Sequence, residues 1–508
     1  MRRFPDRTAV PGRSATGPGP PPGSVTPSAD TGSGHPPPAA APVARTPAAP
    51  PAEIRRTGPG RSLRPPDRQV PGQAVEAAES QSPLISRHYC RAHGARPSHH
   101  RGRAGPVGLQ LAAPLERDGC DYAVLDGGGR SWQAEWLVMA TGVSRLHEPP
   151  VPGLGLAERY DTFDPGPASF TDQRVLVIGK GNSAFETADG LMEKAAVIHV
   201  AGPRSVELAW KTHYLGHLRA VNNNFLDTYQ FKSQNAVLDG TVESIEKSGG
   251  GGFGVMLRYA RTTEPPRELH YDRVIVCTGF RFDVSVSDET CRPTLVINGR
   301  SPEQASSSES VNVPDLYFAG TLMRQRDFKK STNGFIHGFR YATCALHRIL
   351  GARHLGTPWP ARTFTTAPEA IADAVIGRVN RSSGLWQQFW FLGDVVGVDG
   401  DRAVYQEEVP LDYVTDGGLG PAPHRFVVDL EYGPEHERAD PFGVGVPRVV
   451  ENDADHAMDS TYPHPVVRHC RDGVPAGTLH LAENLENEWN LPAVHRQPLT
   501  AFVKECHD

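Results

Sequence analysis

The chain has 508 residues, of which 38% are hydrophobic and 22% charged, and its formal net charge is −6 at pH 7. This length exceeds what one hydrophobic core normally serves, so we expect at least two domains. The slightly acidic balance gives no electrostatic reason to expect a nucleic-acid partner or an anionic membrane surface, so a small-molecule ligand is the default expectation. The composition indicates no particular oligomeric state.

The seven cysteines form no Cys-x-x-Cys pair and no Cys/His cluster at metal-ligand spacing. We therefore expect a reducing compartment, and we predict neither a metal site nor a thiol-disulfide reductase centre. No apolar stretch reaches the roughly 20 residues that a membrane-spanning helix needs, and the N-terminus shows no signal-peptide hydrophobic region. The expectation is a soluble, cytoplasmic protein.

Residues 1–100 are rich in Pro, Ala and Gly and hold 20 of the 47 prolines, in tracts such as Pro36-Pro37-Pro38. Such a composition cannot bury enough apolar surface to offset the loss of chain entropy on folding. We predict that this segment is disordered.

The next segment has two interpretations. Residues 103–110 contain Gly105-Pro106-Val107-Gly108, which could open a phosphate-binding helix with the acidic Asp126 about 20 residues further on. However, no buried strand precedes it, and Pro114 would remove a helical hydrogen bond at a cost of about 3 kcal/mol. We therefore favour a β meander in which Gly108–Leu115 is a strand paired with Asp121–Leu125.

Two later segments, Trp136–Gly142 and Val274–Gly279, are apolar strands that end in Thr-Gly, and Val313–Gly320 is a third strand of this kind. In flavoproteins with two dinucleotide-binding domains, such strands mark the crossing between the domains, and glycine lets the backbone pass close to a cofactor. Gly334–Gly338 then opens a helix that is predicted to run to about Leu350. The cofactor-binding candidates here are Thr141, Gly142, Thr278, Gly279 and Gly320.

Between the first two of these strands lies a dinucleotide-binding motif. The buried strand Arg174–Ile178 leads into Gly179-Lys180-Gly181-Asn182-Ser183-Ala184, a helix follows, and Val197–Val200 is the next strand. The first glycine permits a tight turn, the second lets backbone N–H groups approach a pyrophosphate, and a small third residue lets helix and strand pack closely. The candidate ligands are Gly179, Gly181, Asn182, Ser183 and Ala184.

The cofactor preference rests on the end of the second strand of this unit. No Asp or Glu stands there to hold the ribose hydroxyls of NADH, whereas Arg204 lies close by. A guanidinium can bind a 2′-phosphate through two charge-assisted hydrogen bonds, so NADPH is the expected cofactor. A solvated surface arginine is the alternative.

The sequence offers three candidate catalytic residues, each with a structural alternative. His213 and Tyr214 follow the dinucleotide unit and could approach the nicotinamide, although a packed, hydrogen-bonded histidine is the more common case. Asn223 could donate its amide to a flavin or peroxide oxygen, or it could simply form a turn.

Four stretches carry a specific resemblance: Val177–Ala188, Thr212–Tyr214, Arg219–Asn224 and Asp327–Lys330. Through them the chain resembles FAD-dependent oxidoreductases related to flavin-containing monooxygenases, in the group that includes the ER flavoprotein associated with degradation. The resemblance implies a bound FAD with NADPH as the reductant. It does not carry over a role in the ER, because the sequence shows neither a signal peptide nor an ER-retention ending.

Together these features predict an α/β flavoprotein with two dinucleotide-binding domains, in which a Rossmann-type NADPH domain is inserted into an FAD domain. On the meander interpretation that FAD domain is incomplete, because its first half is missing. A β-rich module follows, with a helix at Ala367–Val379 and a strand at Arg425–Leu430. The predicted domains are the disordered segment 1–100, the FAD-binding domain 104–168 and 271–352, the NADPH domain 169–270 and the C-terminal module 353–508.

Two functions remain open at this point. The first is an FAD- and NADPH-dependent oxidoreductase that passes a hydride from NADPH to flavin and on to oxygen or a small substrate, with the cofactors carrying the chemistry. The second is a catalytically impaired nucleotide-binding or interaction protein that lacks a complete flavin site. A single sequence shows no specificity pocket, so the substrate is not predicted.

Overall fold

The structure is a computed structural model that describes residues 106–120, 134–206, 223–230, 232–328, 331–438, 445, 448–450 and 452–507. The fold is mixed α/β, as predicted. The segment predicted to be disordered and the predicted strand Asp121–Leu125 lie outside the described residues. The helices are α1 (Pro106–Arg117), α2 (Asn182–Leu191), α3 (Asn223–Gln230), α4 (Ile336–His354), α5 (Pro368–Val379), α6 (Ser383–Gln387), α7 (Leu411–Thr415) and α8 (Gln497–His507).

Two large sheets and three short strand pairs organise the described residues. The strands are β1 (Leu137–Met139), β2 (Arg145–Leu146), β3 (Glu158–Arg159), β4 (Arg174–Ile178), β5 (Val197–Gly202), β6 (Ala236–Lys247), β7 (Phe253–Tyr259), β8 (Arg267–Tyr271), β9 (Arg273–Val276), β10 (Phe280–Arg281), β11 (Leu295–Val296), β12 (Ser301–Pro302), β13 (Leu316–Phe318), β14 (Ala361–Thr365), β15 (Leu392–Asp399), β16 (Arg402–Pro410), β17 (His424–Glu431), β18 (His464–Arg471) and β19 (Val474–His480).

The seven-stranded sheet has the order β3-β9-β4-β5-β6-β7-β8. Its strands run parallel from β3 to β6, and β7 and β8 add an antiparallel edge. Strand β4 is buried from Val175 to Ile178, as the continuous apolar run predicted, and α2 follows it after the glycine turn. The predicted order of strand, glycine turn, helix and strand is therefore confirmed.

The segments on either side of this sheet come together. Strand β1 pairs in parallel with β13, so that Leu137 lies opposite Leu316 and Met139 opposite Phe318. Helix α4 packs against this pair, in a cluster that includes Tyr317 and Ala342. The Rossmann-like sheet is thus inserted between two parts of the chain that share one core.

The predicted β meander is wrong, because Gly108–Leu115 lies inside the helix α1. Val107, Leu111 and Leu115 form a buried stripe at helical spacing, and they pack against α4 and the β13 strand. Pro114 sits within this helix. The apolar surface that this stripe buries compensates for the hydrogen bond that proline cannot donate.

The six-stranded antiparallel sheet has the order β14-β16-β15-β17-β18-β19 and confirms the β-rich C-terminal region. The predicted helix and strand in this region correspond to α5 and β17. The core between this sheet, α5 and α8 includes Ile371, Tyr405, Phe426 and Trp489. The buried Asp394 accepts hydrogen bonds from Arg378, with Nε at 2.7 Å, and from the hydroxyl of Tyr405 at 3.0 Å.

Docking of α1 can be tested at Gly320, where φ is 69° and an added Cβ would collide with Val107. Gly320→Ala should lower the free energy of unfolding through both a left-handed backbone and a steric clash with α1. The matched control is Gly356→Ala, at a φ of 65° with open space around the added Cβ. We expect Gly320→Ala to cost about 1 to 3 kcal/mol more than the control in urea unfolding. Equal losses would show that α1 does not pack there.

Candidate functional site

The glycine turn lies where the carboxyl ends of two neighbouring strands meet. Gly179 has a φ of 130°, and a Cβ there would collide with the carbonyl oxygen of Cys277, just after β9. Its N–H donates to the carbonyl of Ala201 at 2.8 Å. This crowding requires glycine and brings the turn beside Thr278 and Gly279, so two groups of predicted cofactor ligands lie side by side.

The second glycine faces open space. Gly181 is extended, with φ −94° and ψ −178°, and a Cβ built on it would meet no protein atom within 4 Å. The N–H groups of Ala184 and Phe185 donate to its carbonyl, which leaves those of Asn182 and Ser183 at the free end of α2. Helix N-termini of this form bind phosphate.

Two features around this helix end accord with a dinucleotide. Ala184 is completely buried against β4, where a larger side chain would push the helix away from the strand. The Oδ1 atom of Asn182 is buried and has no hydrogen-bond partner. Buried polar atoms are normally satisfied, so this oxygen and the open space beside Gly181 fit a bound polar ligand.

An ion pair that was not predicted from the sequence joins Lys180, the middle residue of the glycine turn, to Asp239 of β6. Lys180 is buried and donates to the carboxylate of Asp239 and, at 2.9 Å, to the carbonyl of Arg204. Arg261 lies 2.9 Å from the same carboxylate. Burial works to raise the pKa of Asp239, but the hydrogen bond and charge of Lys180 hold it below its ordinary value.

Arg204 lies where the sequence predicted it, in the turn after β5, and its side chain is exposed. It forms no ion pair with a carboxylate of the described residues. Asp239 comes close because β5 and β6 pair with Gly202 opposite Asp239. An acid therefore lies beside the end of β5, on the neighbouring strand β6, and Lys180 and Arg261 form ion pairs with it.

The flavin candidates fall into two groups. Thr141 and Gly142 follow β1 and Gly320 follows β13, so all three lie at the same edge of this parallel pair. The close approach at Gly320 is to α1 rather than to open space. Thr278 and Gly279 are held by the preceding chain, because the Thr278 hydroxyl donates to the carbonyl of His147 and the His147 N–H donates to Gly279 at 2.8 Å.

Close to this edge, between residues 301 and 343, the structure contains a group of buried side-chain atoms without hydrogen-bond partners. Such atoms are uncommon in folded proteins and call for a missing polar partner. Their concentration beside β13 and at the start of α4 fits a bound cofactor with many polar groups. The atoms are Ser301 Oγ, Gln304 Oε1, Ser307 Oγ, Arg324 Nε, Gln325 Oε1, Asp327 Oδ1, Asn333 Nδ2 and Thr343 Oγ1.

The predicted catalytic candidates stay predictions. His213 and Tyr214 lie outside the described residues. Asn223 is the first residue of α3, and the structure describes only its backbone.

Metal-binding clusters and membrane-spanning helices are both absent from the described residues. No group of three or more His, Cys, Asp or Glu side chains in this part of the chain is arranged to hold a metal ion. No helix within it combines the length and apolar character needed to cross a bilayer.

This chain is similar to several known proteins. Residues 128–320 match the family model described as pyridine nucleotide-disulphide oxidoreductase. The chain is 32% identical to FAD-dependent oxidoreductase domain-containing protein 2 of Danio rerio, over 76% of this chain and 64% of that protein. It is 31% identical to the Mus musculus protein of the same name, over 78% and 65%.

The chain thus spans somewhat under two thirds of the length of these curated relatives. Among solved structures, it is similar to bacillithiol disulfide reductase from Bacillus cereus, at 18% identity and a TM-score of 0.34, covering 45% of this chain and 65% of that one.

The burial of the polar side chains between residues 301 and 343 can be tested through the titration of Asp327. Burial raises its pKa to about 7 from 3.8, against the lowering effects of Asn333 and Arg324. The folded state therefore keeps this proton over a pH range in which the unfolded chain has lost it, so stability falls as pH rises from about 4 to 7. Asp327→Asn should flatten that dependence in urea unfolding measured between these pH values. Asp401→Asn, on an exposed turn, is the control, and unchanged slopes in both variants would contradict the assignment.

Proposed function

We propose that this chain is an FAD- and NADPH-dependent oxidoreductase that transfers a hydride from NADPH to flavin and from flavin to oxygen or a small substrate. The observation that carries the proposal is the glycine turn at Gly179, packed beside Thr278 and Gly279 at the carboxyl edge of the inserted sheet. Ligands of open α/β sheets bind at this edge.

On this proposal, the N–H groups of Asn182 and Ser183 hold the pyrophosphate of the dinucleotide, next to the space that Gly181 leaves open. Arg204 holds the 2′-phosphate. Lys180 neutralises Asp239, so the carboxylate does not repel that phosphate. NADPH supplies the hydride and FAD accepts it when both are bound.

The flavin part of the proposal has two supports. The first is the group of unpartnered polar atoms beside β13, together with α1, the helix that the phosphate-loop interpretation required. The second is the name of the curated relatives, which describes them as FAD-dependent oxidoreductases. The monooxygenase-like reaction rests on the sequence resemblance alone.

The purified full chain should retain FAD, because the buried polar atoms between residues 301 and 343 need hydrogen-bond partners. Flavin absorbance after gel filtration measures this, with denaturation and cofactor quantification to give the stoichiometry. A chain that binds NADPH but no flavin, even after incubation with excess FAD, would instead favour the nucleotide-binding or interaction protein without a complete flavin site.

The choice of NADPH can be tested at Arg204. A charged hydrogen bond contributes about 1.5 to 3 kcal/mol, so Arg204→Ala should weaken NADPH binding about ten- to a hundredfold and leave NADH nearly unchanged. Arg204→Asp should weaken NADPH further through repulsion. Calorimetric titration of both nucleotides measures these effects.

Two further variants complete this experiment. Gly181→Val should abolish binding of both nucleotides, because its side chain fills the space beside the free end of α2. Arg267→Ala, at an exposed arginine paired with Glu264, should leave both affinities unchanged. If Arg204→Ala lowers both affinities equally, Arg204 does not bind the 2′-phosphate.

A further inference from the structure

Four arginines lie in separate segments that hydrogen bonds or charge effects bring near the carboxyl ends of β5 and β9, where the glycine turn at Gly179 lies. Arg204 follows β5, Arg281 ends β10, Arg300 precedes β12, and Arg324 lies in the short 3-10 helix that follows β13. The N–H of Phe282 donates to the carbonyl of Arg300 at 3.0 Å, which fixes two of these segments together.

The four charges are close enough to affect one another. Burial lowers the pKa of Arg300, and the charges of Arg281 and Arg204 lower it further. Burial and the charge of Arg300 lower the pKa of Arg324 in the same way. Arg300 is therefore the centre of a cationic cluster.

The cluster lacks the anions that accompany two other partly buried arginines, Arg378 and Arg468. Arg378 has its Nε 2.7 Å from Asp394, and Arg468 has Nη1 3.0 Å from Asp429. In contrast, none of Arg281, Arg300 and Arg324 forms an ion pair with a carboxylate of the described residues.

Two guanidinium N–H donors of the cluster have no hydrogen-bond acceptor among the described residues. The Nε atoms of Arg281 and Arg324 are buried and have no hydrogen-bond partner. Arg281 also directs Nη2 at His147 Nε2, at 3.4 Å, an acceptor that carries no charge. The acid whose charge acts on Arg324 is Asp327. Burial raises the pKa of Asp327 to about 7, so below that pH its carboxyl is protonated and does not compensate Arg324.

Like charges that are half-buried without counter-ions destabilise a fold, and an anion that enters among them removes that cost. Guanidinium groups fit carboxylate and phosphate oxygens through paired hydrogen bonds. We propose that Arg281, Arg300 and Arg324, with His147 at the side, form a binding site for a carboxylate or phosphate group. This goes beyond the proposed function, which uses α2 and Arg204 for the phosphates of the dinucleotide.

The anion can come from a second small molecule, such as the substrate, or from the dinucleotide itself. Titration of the full chain with inorganic pyrophosphate, with and without saturating NADPH, distinguishes these sources. Binding that persists in NADPH indicates a separate anionic substrate. Binding that NADPH abolishes, together with weaker NADPH and NADH binding by Arg300→Gln, indicates the dinucleotide. Both results support an anion site at the cluster.

Arg300→Gln should weaken pyrophosphate binding at least tenfold, since it removes the central charge. Arg300→Lys keeps the charge and should recover part of the affinity, which separates loss of binding from loss of folding. Arg267→Gln, at the exposed and paired arginine, is the matched control. The proposal is overturned if the unmodified chain binds no pyrophosphate, or if Arg300→Gln and Arg267→Gln bind it equally. Neither result depends on flavin retention or on the Arg204 variants.

Discussion

The close approach of Gly179 to the carbonyl of Cys277 is the contact on which the arrangement of the site depends. It requires that the chain leave β4 without a side chain, and it brings the carboxyl ends of β4 and β9 together. The free end of α2 and the Thr278-Gly279 segment then share one edge of the sheet. Thr278 and Gly279 also form hydrogen bonds with His147. These hydrogen bonds connect the carboxyl edge of the inserted sheet to the chain that precedes it.

Charge compensation separates the arginines of this protein into two kinds. In the C-terminal region, Arg378 of α5 and Arg468 of β18 form ion pairs with the buried carboxylates of Asp394 and Asp429, so their charges are compensated within the fold. Near the glycine turn at Gly179, Asp239 forms ion pairs with Lys180 and Arg261. The arginines of the cationic cluster have no such carboxylate among the described residues. Unpaired half-buried charge costs stability, so the occurrence of several such arginines together supports the proposed ligand site.

The sequence predicted what local patterns determine. A continuous apolar strand, two glycines and a helical stripe suffice to specify the Rossmann-like unit, since each feature acts within a few residues. The role of Asp239 depends on a pairing with Gly202 that spans 37 residues, and no local signal marks it. Helix α1 is not predicted from the sequence, because Pro114 argues against a helix and the apolar stripe at Val107, Leu111 and Leu115 is short. That stripe is stabilised by contacts with α4, more than 200 residues away along the chain.

Asp327 belongs to the group of buried polar side chains between residues 301 and 343 and also acts on the cationic cluster. Its Oδ1 atom belongs to the group of unpartnered atoms beside β13, its Oδ2 atom accepts a hydrogen bond from Ser331, and its charge acts on Arg324 of the cationic cluster. Because burial raises the pKa of Asp327 to about 7, its carboxyl is neutral below that pH and does not compensate Arg324. Ionisation of Asp327 adds a negative charge beside the cluster and so weakens its attraction for an external anion. The charge at the proposed anion site therefore changes with the protonation state of Asp327.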